Sequence, residues 1–382
     1  MNSQSGFTCQ KHLFDIPADV TYLNAAYMSP ILKQAAALGQ QAVAKKLQPW
    51  NIGIPDFFDP PDRACALMAH MIGAGPDDIA LIPSVSYGMA IAVRNLSLSP
   101  GQKILVLADQ FPSNVYPWQD MAKSHGAELV TIPRPATGDW TTPLCETIDR
   151  DTAIVACPHS HWTDGSQIDL IRVGRFCREN GAALVLDLTQ SLGVMPFSVS
   201  DVDPDFMVAA SYKWLLGPYS YAFVYVAPRH QTGQPLEQGW ITRRGSGDFA
   251  RLVDYQPDYL PGAGRFNMGE RSNFMLTPMA IHGLEMLNSW GVEIIADYLS
   301  GLTDMIAERA RGLGLRVADK AHRSPHLIGL YFEGNAPENL TISLSQRKIY
   351  VSIRGDSIRV APHIYNDAQD VENLFSALED IL

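Results

Sequence analysis

The chain has 382 residues, of which 46% are hydrophobic and 18% are charged. It is therefore long enough for one large and one smaller domain and too apolar to be disordered. The 29 lysines and arginines stand against 40 aspartates and glutamates, which gives a formal net charge of −11. An acidic chain without a basic block is a poor candidate for binding nucleic acid or an anionic membrane surface, whereas a small anionic ligand depends on local donors and stays open.

The cysteines and the apolar segments indicate the compartment. The five cysteines are odd in number, include no CxxC pair, and stand at Cys9, Cys65, Cys145, Cys157 and Cys177. This pattern indicates reduced thiols rather than a disulfide framework or a zinc site. The N-terminus lacks the basic lead and apolar core of a signal peptide, and the most apolar long stretch, residues 207–228, is interrupted by Lys213, Gly217 and Pro218. We therefore expect no membrane span and a cytoplasmic protein.

Short apolar segments alternate with helix-like segments between residues 63 and 230. The predicted strands cover residues 104–108, 128–132, 153–157, 182–187, 205–211 and 222–226. These segments are apolar on both faces, as strands covered by helices on both sides should be. The alternation predicts an α/β fold built on a mostly parallel sheet.

The composition changes after this region. Residues 231–264 are rich in Gly, Pro and Arg, and we interpret them as a long functional loop leading to a change of domain. The remaining predicted elements are helices over residues 278–299 and 302–313, a strand over 326–332 and an amphipathic helix over 366–382. Asn366 is expected to cap this last helix. The pattern predicts a large α/β domain over residues 15–264 and a smaller α+β domain formed by residues 1–14 and 265–382.

Two polar side chains stand at the ends of apolar strands. Lys213 closely follows one such strand, and Asp187 closes another, 26 residues earlier. The plain alternatives are a solvent-exposed lysine and an aspartate that caps a helix. However, the carboxyl ends of adjacent strands meet at the crevice where ligands bind, and desolvation makes a lysine nucleophilic. Such a pair suits pyridoxal 5′-phosphate (PLP), because Lys213 would form a Schiff base and Asp187 would keep the pyridine nitrogen protonated.

Three motifs carry a resemblance to a known family. The segments DLTQSLG (187–193), DPDF (203–206) and SYKWLLGP (211–218) resemble the class V aminotransferases. These fold-type I PLP enzymes include cysteine desulfurases, selenocysteine lyases and kynureninases. The resemblance extends from Tyr22 to the final helix. It implies a fold-type I PLP-dependent transferase with a large, mostly parallel seven-stranded sheet domain and a smaller α+β C-terminal domain. It also implies PLP as the cofactor and a homodimer with the active site at the interface.

The resemblance implies a phosphate site at a helix start. The backbone of Val85 and the hydroxyl of Ser86 would hold the cofactor phosphate, although an ordinary serine cap has the same sequence. Ser211 and Tyr212 would add hydroxyl groups. The segment RFNMGE (265–270) resembles the family's Arg-Phe-x-x-Gly-Thr loop, in which Gly269 would reach the phosphate of the neighbouring subunit. Glu270 replaces the threonine, and its carboxylate would need a cation such as Arg271 beside it.

The same resemblance implies contacts with the cofactor ring. Phe111 stands in a Phe-Pro-Ser setting like that of kynureninases and would stack on the pyridine ring; the alternative is a core aromatic. Thr189 would cover the opposite face, and Gln190 resembles the desulfurase glutamine that binds the phenolic oxygen. His159 occupies a family histidine position over the cofactor. We disfavour a metal site at the His159-x-His161 pair because no cluster of further ligands follows it.

For the substrate, the resemblance implies one main anchor. Arg359 lies between β-branched residues near the C-terminus and would bind the substrate carboxylate through its planar fork. Arg354 could equally belong to a structural ion pair instead of binding the substrate. Trp162 stands where desulfurases carry an asparagine near the substrate, and Asn24 belongs to the matching N-terminal segment. Both are expected to contact the substrate.

Departures from the family pattern reduce the number of reactions to be expected. Desulfurases need a mobile cysteine in the loop before the C-terminal arginine, and residues 344–354 contain none, so desulfurase-type persulfide chemistry is not expected. Residues 268–273 do not match the segment with which kynureninases recognise their substrate. The resemblance therefore implies PLP-dependent transamination or a lyase reaction by α,β-elimination on a small amino acid. An epimerase or racemase and a PLP-binding protein without activity are the alternatives.

Overall fold

The structure, a computed structural model, describes residues 6–334 and 336–382. Its strands are β1 (Thr21–Tyr22), β2 (Ile79–Ile82), β3 (Lys103–Leu107), β4 (Glu128–Ile132), β5 (Thr152–Pro158), β6 (Ala183–Asp187), β7 (Phe206–Ala210), β8 (Ala222–Val226), β9 (Ile328–Tyr331), β10 (Ile349–Tyr350), β11 (Ser352–Arg354) and β12 (Ser357–Val360). Its α-helices are α1 (Lys33–Lys46), α2 (Ile54–Ile72), α3 (Val85–Asn95), α4 (Tyr116–His125), α5 (Thr141–Thr147), α6 (Leu170–Asn180), α7 (Val199–Val202), α8 (Thr277–Trp290), α9 (Val292–Gly312), α10 (Leu340–Gln346) and α11 (Ala368–Ile381). None of these described helices is both long and apolar enough to cross a bilayer.

A seven-stranded sheet forms the centre of the fold, in the order β2-β8-β7-β6-β5-β3-β4. Strand β8 runs antiparallel to both of its neighbours, and every other pairing is parallel. The predicted α/β class with a mostly parallel sheet is confirmed. All six predicted strands are present with ends within one residue of the prediction, while the edge strand β2 was not predicted.

Both faces of this sheet are buried. Alternate residues of a strand point to opposite faces. Leu105 and Leu107 of β3 therefore join one apolar cluster, and Ile104 and Val106 join the other. Because helices cover both faces, the strands read as continuous apolar segments rather than as alternating ones. This explains why they stand out so clearly in the sequence.

The connections create a crevice at one edge. The chain moves from β3 outward to β4, and then returns to β5 and proceeds through β6 and β7 in the opposite direction. The order of strands thus reverses between β3 and β5. In open α/β sheets the crevice at the carboxyl ends of such strands is the usual ligand site. The segments that follow β3, β5, β6 and β7 all begin there.

The C-terminal part holds a three-stranded antiparallel sheet in the order β11-β12-β9. Helix α9 packs on this sheet and on α11. A helix break was predicted near residue 300, and this is wrong: α8 ends at Trp290 and α9 begins at Val292. Gly291, with φ of +83°, separates them. Glycine adopts such a left-handed backbone without the steric cost of a Cβ.

The cap of the last helix also differs from the prediction. Asp367, rather than Asn366, is the N-cap of α11, and its carboxylate accepts hydrogen bonds from the backbone N–H groups of Gln369 and Asp370. Asn366 is buried and donates its side-chain amide to the carboxylate of Asp370. Both residue types are good caps, so only the position of the first helical turn distinguishes them.

The N-terminal segment lies against the C-terminal part of the chain. Strand β1 pairs in parallel with β10, and Asn24 bridges to Ala361. Residues 21–24 belong to the predicted large domain, but they pair with residues 349–361 of the predicted small domain. The division into two domains at those residues stays a prediction.

A close crossing of α3 over β7 yields a stability prediction. A Cβ at Gly88 would lie 2.3 Å from Cγ1 of Val208 and 2.8 Å from Cδ1 of Ile82. We expect Gly88→Ala to lower the free energy of unfolding by about 1–3 kcal/mol, measured by urea denaturation. Gly301→Ala in α9 is the matched control, because a Cβ there meets nothing within 4 Å and alanine favours a helix. Equal effects of the two substitutions would contradict the crowding.

Candidate active site

A cavity of about 430 Å³ opens at the carboxyl ends of the strands. Its wall is formed by the segments that follow β2, β3, β5, β6 and β7. It brings together nine of the predicted site residues, namely Val85, Ser86, Phe111, Trp162, Asp187, Thr189, Gln190, Tyr212 and Lys213. Five other predicted residues do not line it, namely Asn24, His159, Ser211, Gly269 and Arg359.

Lys213 lies in the tight turn after β7, and its side chain is only 6% exposed. Burial lowers the pKa of its amine to about 8, although the nearby carboxylate of Asp187 opposes this; the positive charges of Arg359 and Arg354 lower it further. The amine lies 5.5 Å from the ring centroids of both Phe111 and Tyr212. An amine with this pKa is partly unprotonated near neutral pH, which a nucleophile or a general base requires.

Asp187 closes β6 and is buried beside Lys213. Burial raises the pKa of its carboxyl, against hydrogen bonds from Thr189 and the positive charge of Lys213. One carboxylate oxygen accepts the backbone N–H of Thr189 at 3.0 Å. Among the described residues no arginine pairs with this carboxylate, so it is available to a protonated nitrogen of a ligand.

The two residues after this carboxylate are held by the protein itself. The hydroxyl oxygen of Thr189 accepts the backbone N–H of Ala210 at 3.1 Å. The side chain of Gln190 donates to the carbonyl of Ala26 and accepts the indole N–H of Trp214 at 2.9 Å. These bonds join the segments after β6 and β7, and they thereby fix Asp187 and Lys213 relative to each other.

Two aromatic rings form another wall of the cavity. Phe111 and Trp162 meet edge to face, with ring centroids 5.6 Å apart and planes at 81°. The indole N–H of Trp162 donates to the carbonyl of Asp109 at 2.6 Å, which fixes the ring. The arrangement presents a rigid apolar surface of the kind on which a planar heterocycle stacks.

The start of α3 supplies hydrogen-bond donors. Ser84 is the N-cap and accepts the backbone N–H of Tyr87, while its hydroxyl lies 2.9 Å from that of Ser86. The first N–H groups of a helix have no partner within it, and together with the helix dipole they favour an anion. Ser84 also lines the cavity, although it was not among the predicted site residues.

The hydroxyl of Ser211 is bound within the turn that follows β7 and does not line the cavity. This hydroxyl lies 2.7 Å from the carbonyl oxygens of both Pro218 and Tyr221, and the residue is 1% exposed. The hydroxyl therefore closes the turn rather than lining the cavity, and its phosphate contact stays a prediction. The turn instead brings Tyr219 and Ser220 into the wall. The Gly217-Pro218 pair was the signal for this turn.

Arg359 lies on β12 just behind Trp162. It is 1% exposed, and one of its terminal N–H groups donates to the carbonyl of Trp162 at 2.9 Å. Its Nε and second terminal nitrogen have no hydrogen-bond partner among the described residues. A buried guanidinium without a counter-ion is costly, which favours an anionic ligand there. Asn24 lies nearby, where its side-chain oxygen accepts the hydroxyl of Ser352 at 2.8 Å.

The loop around Gly269 is engaged within the chain. The backbone N–H of Gly269 donates to the carboxylate of Glu237 at 2.5 Å. Glu270 is exposed, and Arg271 pairs with Asp62 at 2.8 Å instead of offsetting the charge of Glu270. The sequence offered no signal for Glu237, since it lies 32 residues away in an irregular segment. The phosphate contact of Gly269 stays a prediction.

His159 is buried behind the cavity, 6.5 Å from the ring of Phe197 between centroids. Burial lowers the pKa of its imidazole to about 4. Its cofactor contact stays a prediction. His161 contacts the hydroxyl of Thr163 and stacks on Trp140. Within the described ranges, no group of three or more metal-ligating side chains converges.

Comparison with known proteins identifies the family. The family model described as Aminotransferase class-V matches residues 62–374. The chain belongs to the class V aminotransferase family. It is therefore a PLP-dependent enzyme, and PLP is its cofactor. The residues fit this group, since the aromatic wall suits its planar ring, the start of α3 suits its phosphate and the carboxylate of Asp187 suits its protonated pyridine nitrogen.

Individual relatives span several activities. The chain is 29% identical over 308 residues to an uncharacterized aminotransferase, YcbU, of Bacillus subtilis (strain 168), covering 80% of this chain and 79% of YcbU. It is 28% identical over 330 residues to a kynureninase of Burkholderia mallei (strain SAVP1), covering 81% and 76%. Among solved structures, a cysteine desulfurase of Thermococcus onnurineus NA1 has a TM-score of 0.84 at 17% identity, covering 99% of each chain. The cystine C-S lyase C-DES has a TM-score of 0.85 at 20% identity, covering 95% and 98%. The structural likeness confirms the predicted fold type.

The buried lysine predicts a pH dependence of stability in the cofactor-free protein. The pKa of Lys213 is about 8 in the folded chain against 10.5 for a free side chain. Between these values the unfolded chain binds more protons, so stability rises with pH. Relative to Lys213→Met, the free energy of unfolding should increase by up to about 3 kcal/mol between pH ~7 and pH ~10. Urea denaturation measures this difference, and parallel curves for the two proteins would refute it.

Proposed function

We propose that the protein catalyses transamination or α,β-elimination of an amino acid, with Lys213 as the covalent attachment point of PLP. One observation carries the proposal. The amine of Lys213 and the buried carboxylate of Asp187 line one cavity, and the unpaired guanidinium of Arg359 lies behind its wall, where it donates to the carbonyl of Trp162. These are the three polar functions that PLP chemistry on an amino acid requires.

Named groups would hold the cofactor. The start of α3, with Val85 and Ser86, would hold the phosphate. Phe111 and Thr189 would enclose the ring, and the carboxylate of Asp187 would keep a proton on the ring nitrogen. When bound, PLP withdraws electrons from the bonds at the substrate's Cα.

The protein's own groups would then move the proton. The carboxylate of the substrate binds Arg359, whose position fixes the orientation of Cα. The amine of Lys213, once free, takes the proton from Cα and delivers it to the acceptor atom. Trp162 and Phe111 exclude water from this side of the cavity, which strengthens the electrostatic contacts inside it. Transamination delivers this proton without loss of a substituent from Cβ, whereas in α,β-elimination the bond between Cβ and its substituent breaks and the departing substituent receives the proton.

The alternatives belong to the same chemistry. Return of the proton to the opposite face of Cα would make the protein an epimerase or racemase, and loss of turnover would leave a PLP-binding protein. A desulfurase-type reaction is disfavoured, since the last cysteine of the chain is Cys177 and it is buried. Burial raises the pKa of this thiol to about 12, so it is not a thiolate.

Borohydride reduction tests the proposal. The PLP-loaded protein should lose its visible absorbance on reduction, and peptide mapping should locate the fixed cofactor on Lys213. An amino-acid panel, followed by assays for keto acid, ammonia and inverted substrate, then distinguishes the reactions. A label on another lysine, or no reducible chromophore, would refute the proposal.

A homodimer is part of the proposal. Apolar side chains such as Leu47 and Trp50, each 78% exposed, and Tyr255, 93% exposed, support a partner surface. Sedimentation velocity at micromolar concentration tests it, and a monomer would contradict it.

A further inference from the structure

We propose that the substrate is an amino acid with a second anionic group on its side chain, and that Arg354 binds this group. This inference rests on the proposed function above, in which Arg359 binds the α-carboxylate. It adds a substrate class and a specificity-determining residue to that reaction. It requires no further chemical step.

The first support is the register of the small sheet. In the antiparallel pair β11 and β12, Ser352 lies opposite Arg359 and Arg354 lies opposite Ser357. Residues directly opposite each other, and residues two apart on one strand, share a face. Arg354 and Arg359 therefore lie on the same face of the sheet as diagonal neighbours, a relation that places their Cα atoms about 7–8 Å apart. The side chains of Ile353 and Ile358 point to the other face.

The second support is Trp162, which both arginines contact. Arg359 donates to the carbonyl oxygen of Trp162, and the guanidinium carbon of Arg354 lies 5.6 Å from the centroid of its indole ring. Trp162 lines the cavity with Lys213 and also a neighbouring cavity of about 900 Å³, which Arg354 lines as well. A side chain that extends from Cα past Trp162 would thus approach Arg354.

The third support is the missing counter-charge. Among the described residues neither arginine forms an ion pair, and the guanidinium of Arg354 makes one hydrogen bond, to the carbonyl of Ile353. Arg134, which lines the same neighbouring cavity, is neutralised by Asp109 and Asp164. The sequence also allowed Arg354 to form a structural ion pair. In the described part of the chain it forms no such pair. One carboxylate satisfies Arg359 and leaves Arg354 for a second anion.

The ligand chemistry is therefore a side-chain carboxylate or a group of the same charge and shape, such as a sulfinate. A planar oxyanion matches the fork of a guanidinium, and half-burial of Arg354 strengthens the bond relative to one in open solvent. The neutral amide of the same length would leave the arginine unpaired. The competing arrangement, in which both arginines bind one carboxylate, predicts no preference between the acid and the amide.

Two binding measurements on the PLP-loaded protein test the inference. The first follows the visible absorbance of the cofactor during titration with aspartate, asparagine, glutamate and glutamine. We expect at least one acid to bind about tenfold or more tightly than its amide, and Arg354→Gln to remove this preference. Arg316→Gln is the matched control and should retain it. Arg316 is an exposed arginine of the neighbouring cavity that stacks on Tyr331.

The second measurement is calorimetric titration with succinate and butyrate, which have no amine and need no reaction with the cofactor. Succinate should bind about tenfold more tightly than butyrate, and only Arg354→Gln should abolish the difference. Equal binding of the two, or loss of the preference in Arg316→Gln instead, overturns the inference. If the cofactor is not fixed on Lys213, the proposed function fails, but succinate and butyrate still decide whether Arg354 forms a second anion site.

Discussion

Replacement of Lys213 by alanine should lower turnover by about 10⁴-fold in any assay of product formation, because the variant loses both the proposed covalent attachment point and the proposed base that moves the proton. Alanine also removes a buried amine whose pKa burial lowers to about 8, so the fold should not be weakened. We expect the variant to bind PLP without a covalent bond. The cofactor should then be removable by denaturation after borohydride treatment, whereas the wild type retains it.

Lys213→Arg separates charge from proton transfer. A guanidinium keeps the positive charge in the cavity but does not release a proton near neutral pH, so this variant should be as inactive as Lys213→Ala. Lys348→Ala is the surface control and should retain full turnover, since Lys348 pairs with Asp19 on the exposed surface. Turnover of Lys213→Ala within tenfold of wild type would exclude the lysine as the base.

The central sheet was predictable because its physical signal is local. Strands such as β6 and β7 are buried on both faces, so nearly every residue in them is apolar, and a charged residue at the end of the strand or in the turn that follows is conspicuous. Asp187 and Lys213 stand out for this reason. Their meeting at one crevice follows from the direction of parallel strands, which the alternation of strands and helices already indicates.

Side-chain direction was not predictable in the same way. Ser211 stands two residues before Lys213, yet its hydroxyl is bound by the turn that Pro218 and Tyr221 form. His159 is turned away from the cavity toward Phe197. Such directions depend on partners that are distant in the chain, as does the contact between Gly269 and Glu237. The motif identifies the position of a residue and leaves its contacts open.

The ends of two helices were predicted wrongly for a related reason. Gly291 ends α8 nine residues before the predicted break, because its backbone is left-handed, and Asp367 displaces Asn366 as the cap by a single position. Several residues in each region satisfy the same capping rules, and the contacts of α9 with the small sheet and with α11 join residues that are distant in the chain. The same sheet sets Arg354 beside Arg359. That proximity depends on the register of β11 and β12.

Replacement of Asp187 by asparagine is the second large effect that we expect, with turnover reduced by about 10²–10³-fold. The amide has nearly the same shape and retains an oxygen that can accept the N–H of Thr189, so the geometry of the turn should persist. What changes is the negative charge of the carboxylate that we propose keeps the ring nitrogen protonated, since a neutral amide cannot stabilise that proton. The loss should therefore appear in turnover, while substrate binding changes less.

Asp205→Asn is the matched control for this prediction. Asp205 is also a buried aspartate and lies directly before β7, but its carboxylate binds the backbone N–H of Leu184 and the side chains of Arg229 and His230. Its replacement should lower the free energy of unfolding by about 1–3 kcal/mol and leave turnover of the folded protein unchanged. Asp187→Asn should show the reverse. If both substitutions reduce stability and turnover in parallel, Asp187 acts as a structural residue, and the assignment of a proton to the ring nitrogen fails with it.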